Sequence, residues 1–337
     1  MLDNNPIRHI IFRKCGEFAI YIGYFEVLMS NIFLSIIAPC FNEEASIMDF
    51  HNKAYNVCET LKITYEIIFI DDGSKDKTLQ KIKELKKLNE NIYYISFSRN
   101  FGKEAALLAG LQTAKGNYIV IIDVDGQDPF ILVPKMLEVV TSGEFDCAGT
   151  RRINRLGEPP IRSFFAKNFY SLMKNITDIE IVDGARDFRL MNRKYLEAIL
   201  SLKEKNRFSK GIFPWVGFKI KWFEYENIER LSGKTKWSFG KLLLYSFDGI
   251  TAFSSKPLAI ASIMGILFFL ASIVMIIFLI IRRVIWGDPV DGWASTVCII
   301  LFCSGIQLFT VGILGQYISK IYIEVKNRPQ YIIKEAE

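Results

Sequence analysis

Two long stretches near the C-terminus carry no charged residue: Pro257 to Ile281 and Ala294 to Ile318. At a helical rise of about 1.5 Å per residue, each is long enough to cross a hydrocarbon core of about 30 Å. The competing reading is a buried helix pair in a large soluble protein, but neither stretch has the polar face that a soluble helix presents. The second stretch carries small or amide polar groups such as Ser304, Gln307, Thr310 and Gln316, with glycines at 305, 312 and 315 that permit close helix contact in lipid. The link from Trp286 to Trp293 is turn-rich, and its tryptophans suit a headgroup belt. The expectation is a two-helix membrane hairpin. Lys241 and Lys256 precede it and Lys320, Lys326, Arg328 and Lys334 follow it, against Arg282 and Arg283 in the link. That majority puts both ends in the cytoplasm.

Ahead of the hairpin, apolar runs alternate with helical patterns. Strands are expected at Phe33 to Ala38, Tyr65 to Ile70, Ile92 to Ser96 and Tyr118 to Ile122, with helices at Glu43 to Leu61, Lys77 to Leu88 and Lys103 to Ala114. Such alternation implies an α/β fold with a mostly parallel, doubly wound, Rossmann-like sheet. Two of these strands end in carboxylates: Asp71-Asp72-Gly73-Ser74, and Asp123-Val124-Asp125-Gly126-Gln127-Asp128. In an open α/β sheet the ligand crevice lies beyond the carboxyl ends of the strands, so both clusters should line one site. Crowded carboxylates repel one another unless a cation joins them, and hard oxygen ligands suit magnesium or manganese. A substrate that brings phosphates fits such a site.

Several classes drop out. The formal net charge of +6 is diluted over 337 residues and no stripe of Lys and Arg with interleaved aromatics marks a nucleic-acid surface. The first strand is followed by Pro39-Cys40-Phe41-Asn42-Glu43-Glu44 rather than GxGxxG, which removes the main support for a dinucleotide-binding dehydrogenase. The six cysteines, at 15, 40, 58, 147, 298 and 303, show no CxxC spacing and read as reduced thiols. His9 and His51 fall outside every cluster. Residues 1–30 form an N-terminal extension: Phe18 to Phe25 is apolar, but Arg13, Lys14, Glu17 and Glu26 interrupt it and no small-residue cleavage site follows.

The series Ala38-Pro39-Cys40-Phe41-Asn42-Glu43-Glu44, Asp71 to Asp76, Ser98-Arg99-Asn100-Phe101-Gly102-Lys103 and Asp123-Val124-Asp125 resembles family 2 of the inverting, GT-A-fold glycosyltransferases. Asp187-Phe188-Arg189-Leu190-Met191, Gly211 to Gly217, Gly249 to Ser254, Gly312 to Ile318 and Arg328-Pro329-Gln330-Tyr331 narrow it. Together they resemble the membrane-anchored polyprenyl-phosphate glycosyltransferases, and most closely the bactoprenol glucosyltransferases of O-antigen modification systems.

That resemblance implies roles. Asp125 would ligate the metal, with Gln127 as a second oxygen ligand and Asp123 facing the nucleotide; a polar turn capping the next helix is the plainer alternative. Gly126 departs from the bulkier apolar residue common in the family. Asp72 would hydrogen-bond the uracil ring, beside Pro39, Asn42 and Glu44 at the nucleotide-binding turn, whereas Asp76 is expected to cap the helix entered at Lys77. Arg230 and Lys236, in Arg230 to Trp237, would hold the diphosphate, unless that loop is simply a basic flank near lipid. Arg151 and Arg162 would bind the acceptor phosphate, and could equally be solvated. Asp187 and Arg189 would position the sugar and the lipid phosphate, with a structural ion pair as the alternative.

The expected organisation is a GT-A catalytic domain at 31–237, an amphipathic juxtamembrane segment at 238–256, two spans within 257–318 and a cytoplasmic tail at 319–337. The implied reaction moves a hexose, glucose first among candidates, from a UDP-sugar to undecaprenyl phosphate with Mg2+ or Mn2+. An amino-arabinose derivative or an N-acetylhexosamine is the alternative donor sugar, and a non-catalytic membrane partner protein the alternative class. The implied setting is the bacterial inner membrane, as a multi-pass homo-oligomer working with a flippase and a second glycosyltransferase, and without nucleic acid.

Overall fold

The computed structural model describes residues 32–153, 182–226, 251, 253–286 and 292–337. Four strands, β1 (Leu34–Cys40), β2 (Tyr65–Asp71), β3 (Ile92–Phe97) and β4 (Tyr118–Ile121), form its parallel centre. Every residue of β2 is buried, which is why these strands read as near-continuous apolar runs rather than alternating ones. Alternate residues feed two cores. Ile36 and Phe69 face α1 (Ile47–Leu61), α2 (Thr78–Leu88) and α4 (Leu132–Thr141). Ile37 and Ile70 face α3 (Lys103–Thr113), α5 (Arg193–Ser201) and α6 (Ser209–Trp215).

Polar groups within the parallel centre pair with one another. Buried Ser35 donates to Glu66 at 2.5 Å, and the same carboxylate oxygen accepts the Lys115 N–H at 2.6 Å. Such pairing is what makes polar burial tolerable.

The sheet has eight strands. With β5 (Cys147–Arg152), β6 (Ala185–Asn192), β7 (Ile220–Tyr225) and β8 (Ile333–Ala336), the order is β7-β5-β6-β4-β1-β2-β3-β8. The chain winds from β1 out to β3 and then returns to place β4 on the other side of β1. The direction of winding therefore reverses between β1 and β4, and a crevice forms beyond their carboxyl ends. Because β6 runs antiparallel to β4, its beginning lies at that same edge. This is the GT-A-like arrangement expected from the sequence, with β5 to β7 extending it and β8 closing the far edge.

Two helices follow, α7 (Lys256–Trp286) and α8 (Trp293–Lys326), both long and apolar enough to cross a membrane. They exceed the expected spans at both ends. Phe269 is 65% exposed and Leu308 72% exposed, the reverse of a soluble helix pair. The rings of Phe268 and Phe302 meet edge-on at 5.5 Å between the helices. The end of α8 and the residues beyond it return to the catalytic domain. Glu324 accepts the N–H groups of Lys205 and Asn206 at 2.7 and 3.1 Å. The Tyr331 ring stacks on Phe97 at 4.8 Å, and β8 pairs with β3. Residues 319–337 thus supply the last turns of α8 and an edge strand. Residues 1–30 and most of the juxtamembrane segment lie outside the described residues.

α3 packs on the sheet through Gly110, where an added Cβ would lie 2.4 Å from Ile37 Cγ2 and 2.8 Å from Ile70 Cδ1. Overpacking of this kind costs about 1–3 kcal/mol, against a helix-propensity gain of up to about 1 kcal/mol. Gly110→Ala is expected to lower stability by about 1–2 kcal/mol in chemical denaturation of the detergent-solubilised protein; an unchanged or raised midpoint would contradict this packing.

Candidate active site

The crevice is built from the loops that leave β1 to β4 and from the beginning of β6. At its centre the Lys103 ammonium, on the first turn of α3, lies 2.7 Å from Asp123 and 2.6 Å from Asp187. Burial works against the charge on Lys103, yet Asp123 and then Asp187 hold its pKa above the ordinary lysine value. Burial likewise opposes ionisation of Asp187, but Lys103 overrides it and keeps that carboxyl below the usual range. Asp187 therefore stands as a carboxylate near neutral pH, suited to accepting hydrogen bonds rather than donating a proton.

Arg186 makes a second junction, 3.9 Å from Asp123 and 3.8 Å from Asp128. Asp128 accepts the Tyr225 hydroxyl at 2.8 Å, and burial pushes its pKa up to about 6; Arg186 opposes that shift and Asp123 adds to it. Asp125 accepts the Gln127 N–H at 3.1 Å across a turn in which Gly126 has φ +76°. That left-handed backbone explains a glycine where the family more often has a bulkier residue. Gln127 turns its amide oxygen to Arg152, 2.9 Å away.

The loops after β1 and β2 are stitched together by the residues expected to meet the nucleotide. Asn42, itself at φ +53°, accepts the Lys75 N–H at 2.8 Å, and its own N–H donates to the Ser74 hydroxyl. Glu44 accepts the Lys77 N–H at 2.9 Å. The helix begins at Thr78 with Lys77 as its N-cap, one residue later than expected, so Asp76 stands just ahead of the cap, where it accepts the Thr78 N–H at 3.0 Å and the Thr78 hydroxyl at 2.6 Å. Pro39 lies opposite Ile70 in the β1–β2 register. Asp72 is 4% exposed and accepts the N–H groups of Phe101 and Gly102 at 2.6 and 3.0 Å. Burial raises its pKa and those two donors counter the rise. Asp72 thereby fixes the turn from which Lys103 projects.

Asp72, Asp123, Asp125 and Asp187 thus gather at one edge of the sheet, but Arg189 is placed differently. It is 1% exposed, its guanidinium lies 3.6 Å from the centre of the Phe213 ring, and it donates to the Arg186 carbonyl at 2.9 Å. It sits inside the protein rather than on the crevice surface, and Arg186 is the arginine turned to the carboxylates. Arg151 pairs with Glu224 on neighbouring β7, while Arg152 reaches Gln127. Successive strand residues face opposite ways, so only one of this pair can serve the site. Arg162, Arg230 and Lys236 lie outside the described residues. Lys103, Arg186, Arg152 and Tyr225 are the members that sequence reasoning did not assign. Lys103 stood within a quoted motif, and strand alternation alone could have separated Arg152 from Arg151.

A carboxylate-rich crevice at a point of winding reversal is where doubly wound α/β proteins bind phosphate-bearing ligands, which makes nucleotide-dependent transfer the class of chemistry defined here. The sequence model of the family described as Glycosyl transferase family 2 matches residues 35–200. SfII prophage-derived bactoprenol glucosyl transferase of Shigella flexneri is 41% identical, over 90% of this chain and 98% of that one. The prophage bactoprenol glucosyl transferase homolog of Escherichia coli (strain K12) is 39% identical, over 90% and 99%. Uncharacterized glycosyltransferase sll0501 of Synechocystis sp. is 40% identical, over 90% and 96%. The chain belongs to glycosyltransferase family 2.

Asp72→Ala leaves two loop N–H groups without their charged acceptor, a loss of about 1.5–3 kcal/mol per bond when the acceptor is ionised. A stability loss of about 2 kcal/mol or more is expected by chemical denaturation, with Asp72→Asn milder because one oxygen remains. Equal stability of Asp72→Ala and wild type would show that the carboxylate does not hold the loop.

Proposed function

We propose that this enzyme transfers glucose from UDP-glucose to a polyprenyl phosphate, with inversion, at the cytoplasmic face of the bacterial inner membrane. The observation that carries this reading is the 41% identity to a bactoprenol glucosyl transferase across 98% of that protein's length. The two apolar helices and the basic residues flanking them support a lipid acceptor and a cytoplasmic catalytic domain.

In the proposed reaction an acceptor phosphate oxygen forms a bond to the anomeric carbon while the bond from that carbon to the diphosphate oxygen breaks, releasing UDP. The acceptor phosphate is largely ionised near neutral pH, its second pKa being about 6, so a strong general base is dispensable. What the chain supplies is alignment and charge. Asp187, kept ionised by Lys103, would accept hydroxyl hydrogen bonds from the sugar. Lys103, Arg186 and Arg152 supply positive charge beside the position of the leaving diphosphate, with Arg230 and Lys236 as further candidates. Arg162 remains the candidate for the acceptor phosphate, Arg151 being turned to Glu224 on the other side of the strand.

Among the described residues no group of three or more His, Cys, Asp or Glu side chains is arranged to hold a metal ion alone. The hard oxygens of Asp125 fit Mg2+ or Mn2+ in the manner of sites that take one or two carboxylates and complete the shell with substrate phosphates, whereas Asp123 is already joined to Lys103. Gln127 would join only by releasing Arg152. Bound there, the ion would supply Lewis-acid stabilisation of the departing diphosphate. A homo-oligomer acting with a flippase and a second glycosyltransferase completes the proposed setting.

Incubating the detergent-purified protein with undecaprenyl phosphate, Mg2+ or Mn2+ and a panel of UDP-sugars tests the reaction directly. The expected result is UDP release matched by lipid-phosphate-hexose from UDP-glucose, abolished by chelation and by Asp125→Ala. Product from UDP-N-acetylhexosamine alone would overturn the sugar, and full turnover by Asp125→Ala would overturn the site.

A further inference from the structure

A cavity of about 330 Å3 opens where the catalytic domain meets the end of α8, within the size range of small-ligand pockets, about 300–1,000 Å3. Its walls include Phe101 just before α3 and Glu104 within its first turn, Lys205 and Arg207 beyond α5, and Lys326 and Arg328 at the end of α8. Four cations thus face one carboxylate. Glu104 is already engaged, accepting the Ser209 N–H at 3.0 Å together with its hydroxyl. Nearby Glu324 is occupied by the two backbone N–H groups that fasten α8.

Among the described residues none of the four cations has a carboxylate within 4.0 Å. Arg207 donates to the Leu202 carbonyl at 2.9 Å and Lys326 to the Tyr322 hydroxyl at 2.6 Å, both neutral acceptors. Among the described residues the compensation at this wall is limited to the longer-range attraction of Arg207 to Glu104 and Glu204, and no close ion pair is made. The stretch of α8 apolar enough to cross a membrane, Phe302–Lys326, ends at Lys326, which brings this wall of the cavity to the membrane boundary.

We propose that this cavity binds the phosphate headgroup of an anionic membrane lipid, at a site separate from the carboxylate crevice. Lys103 turns to the crevice while Phe101 and Glu104, on the same turn, line the cavity. The inference rests on the membrane reading above.

Titration of the full-length, detergent-solubilised protein with phosphatidylglycerol, followed by native mass spectrometry, tests it, with zwitterionic, net-neutral phosphatidylethanolamine as the comparison. Phosphatidylglycerol is expected to bind preferentially, and Lys326→Ala/Arg328→Ala to weaken it on the order of thirty-fold, from the usual effect of a basic residue near an anionic surface. Lys205→Ala, on the opposite wall, should weaken it about five-fold, and Lys53→Ala/Lys62→Ala, remote from the cavity, should leave it unchanged. Equal phosphatidylglycerol binding by wild type and the wall variants would overturn the proposal. So would inorganic phosphate binding as tightly as the lipid with the same dependence on Lys326 and Arg328, which would make this a soluble-anion site. Flotation with neutral phosphatidylcholine vesicles separates the two readings: wild type that fails to float overturns membrane insertion itself, whereas wild type that floats without headgroup preference overturns only the cavity's role.

Discussion

The Lys103 ammonium between Asp123 and Asp187 joins three elements that sequence keeps far apart: the start of α3, the loop after β4 and the beginning of β6. Without a cation at that point the carboxylates gathered at the switch point would repel one another and be driven towards protonation. The position of Lys103 is in turn set from behind. Asp72 grips the N–H groups of Phe101 and Gly102, so the end of β2 determines where the lysine emerges. A line of contacts therefore runs from one carboxylate-ended strand to the other, and the antiparallel entry of β6 closes it.

Much of this was legible in the chain. Strands buried on both faces leave apolar runs, and a strand that stops at a ligand crevice leaves carboxylates at its end, so β1 to β4 and the acidic turns could be read locally. The ordered motifs carried the family. Pairing was less visible. Lys103 finds Asp123 twenty positions away and Asp187 further still, and nothing in local periodicity announces either contact. Arg189 belonged to a recognisable motif, but the motif did not tell which way the side chain turns. Only the placement of β6 between β4 and β5 buries it. The same holds for β8, whose residues look like a short polar tail until β3 offers them an edge.

The catalytic domain and the apolar helices are fastened at several points. Tyr317 donates to the Ser254 carbonyl across the two chain crossings between domain and hairpin, Glu324 receives two backbone N–H groups, and β8 extends the sheet. Helices bound in this way do more than tether. They fix the height and tilt of the crevice relative to the ends of α7 and α8.

The most direct test of this account is the steady-state turnover of Lys103→Met beside Lys103→Arg, with folding of each variant checked by circular dichroism. If the lysine organises the crevice, the methionine variant stays folded and loses about a hundred-fold or more in kcat, the scale of removing one preorganised charge from a transition state, and arginine restores part of it. Wild-type turnover by Lys103→Met would show that the Asp123 and Asp187 pair does not need its cation, and that the chemistry is organised elsewhere.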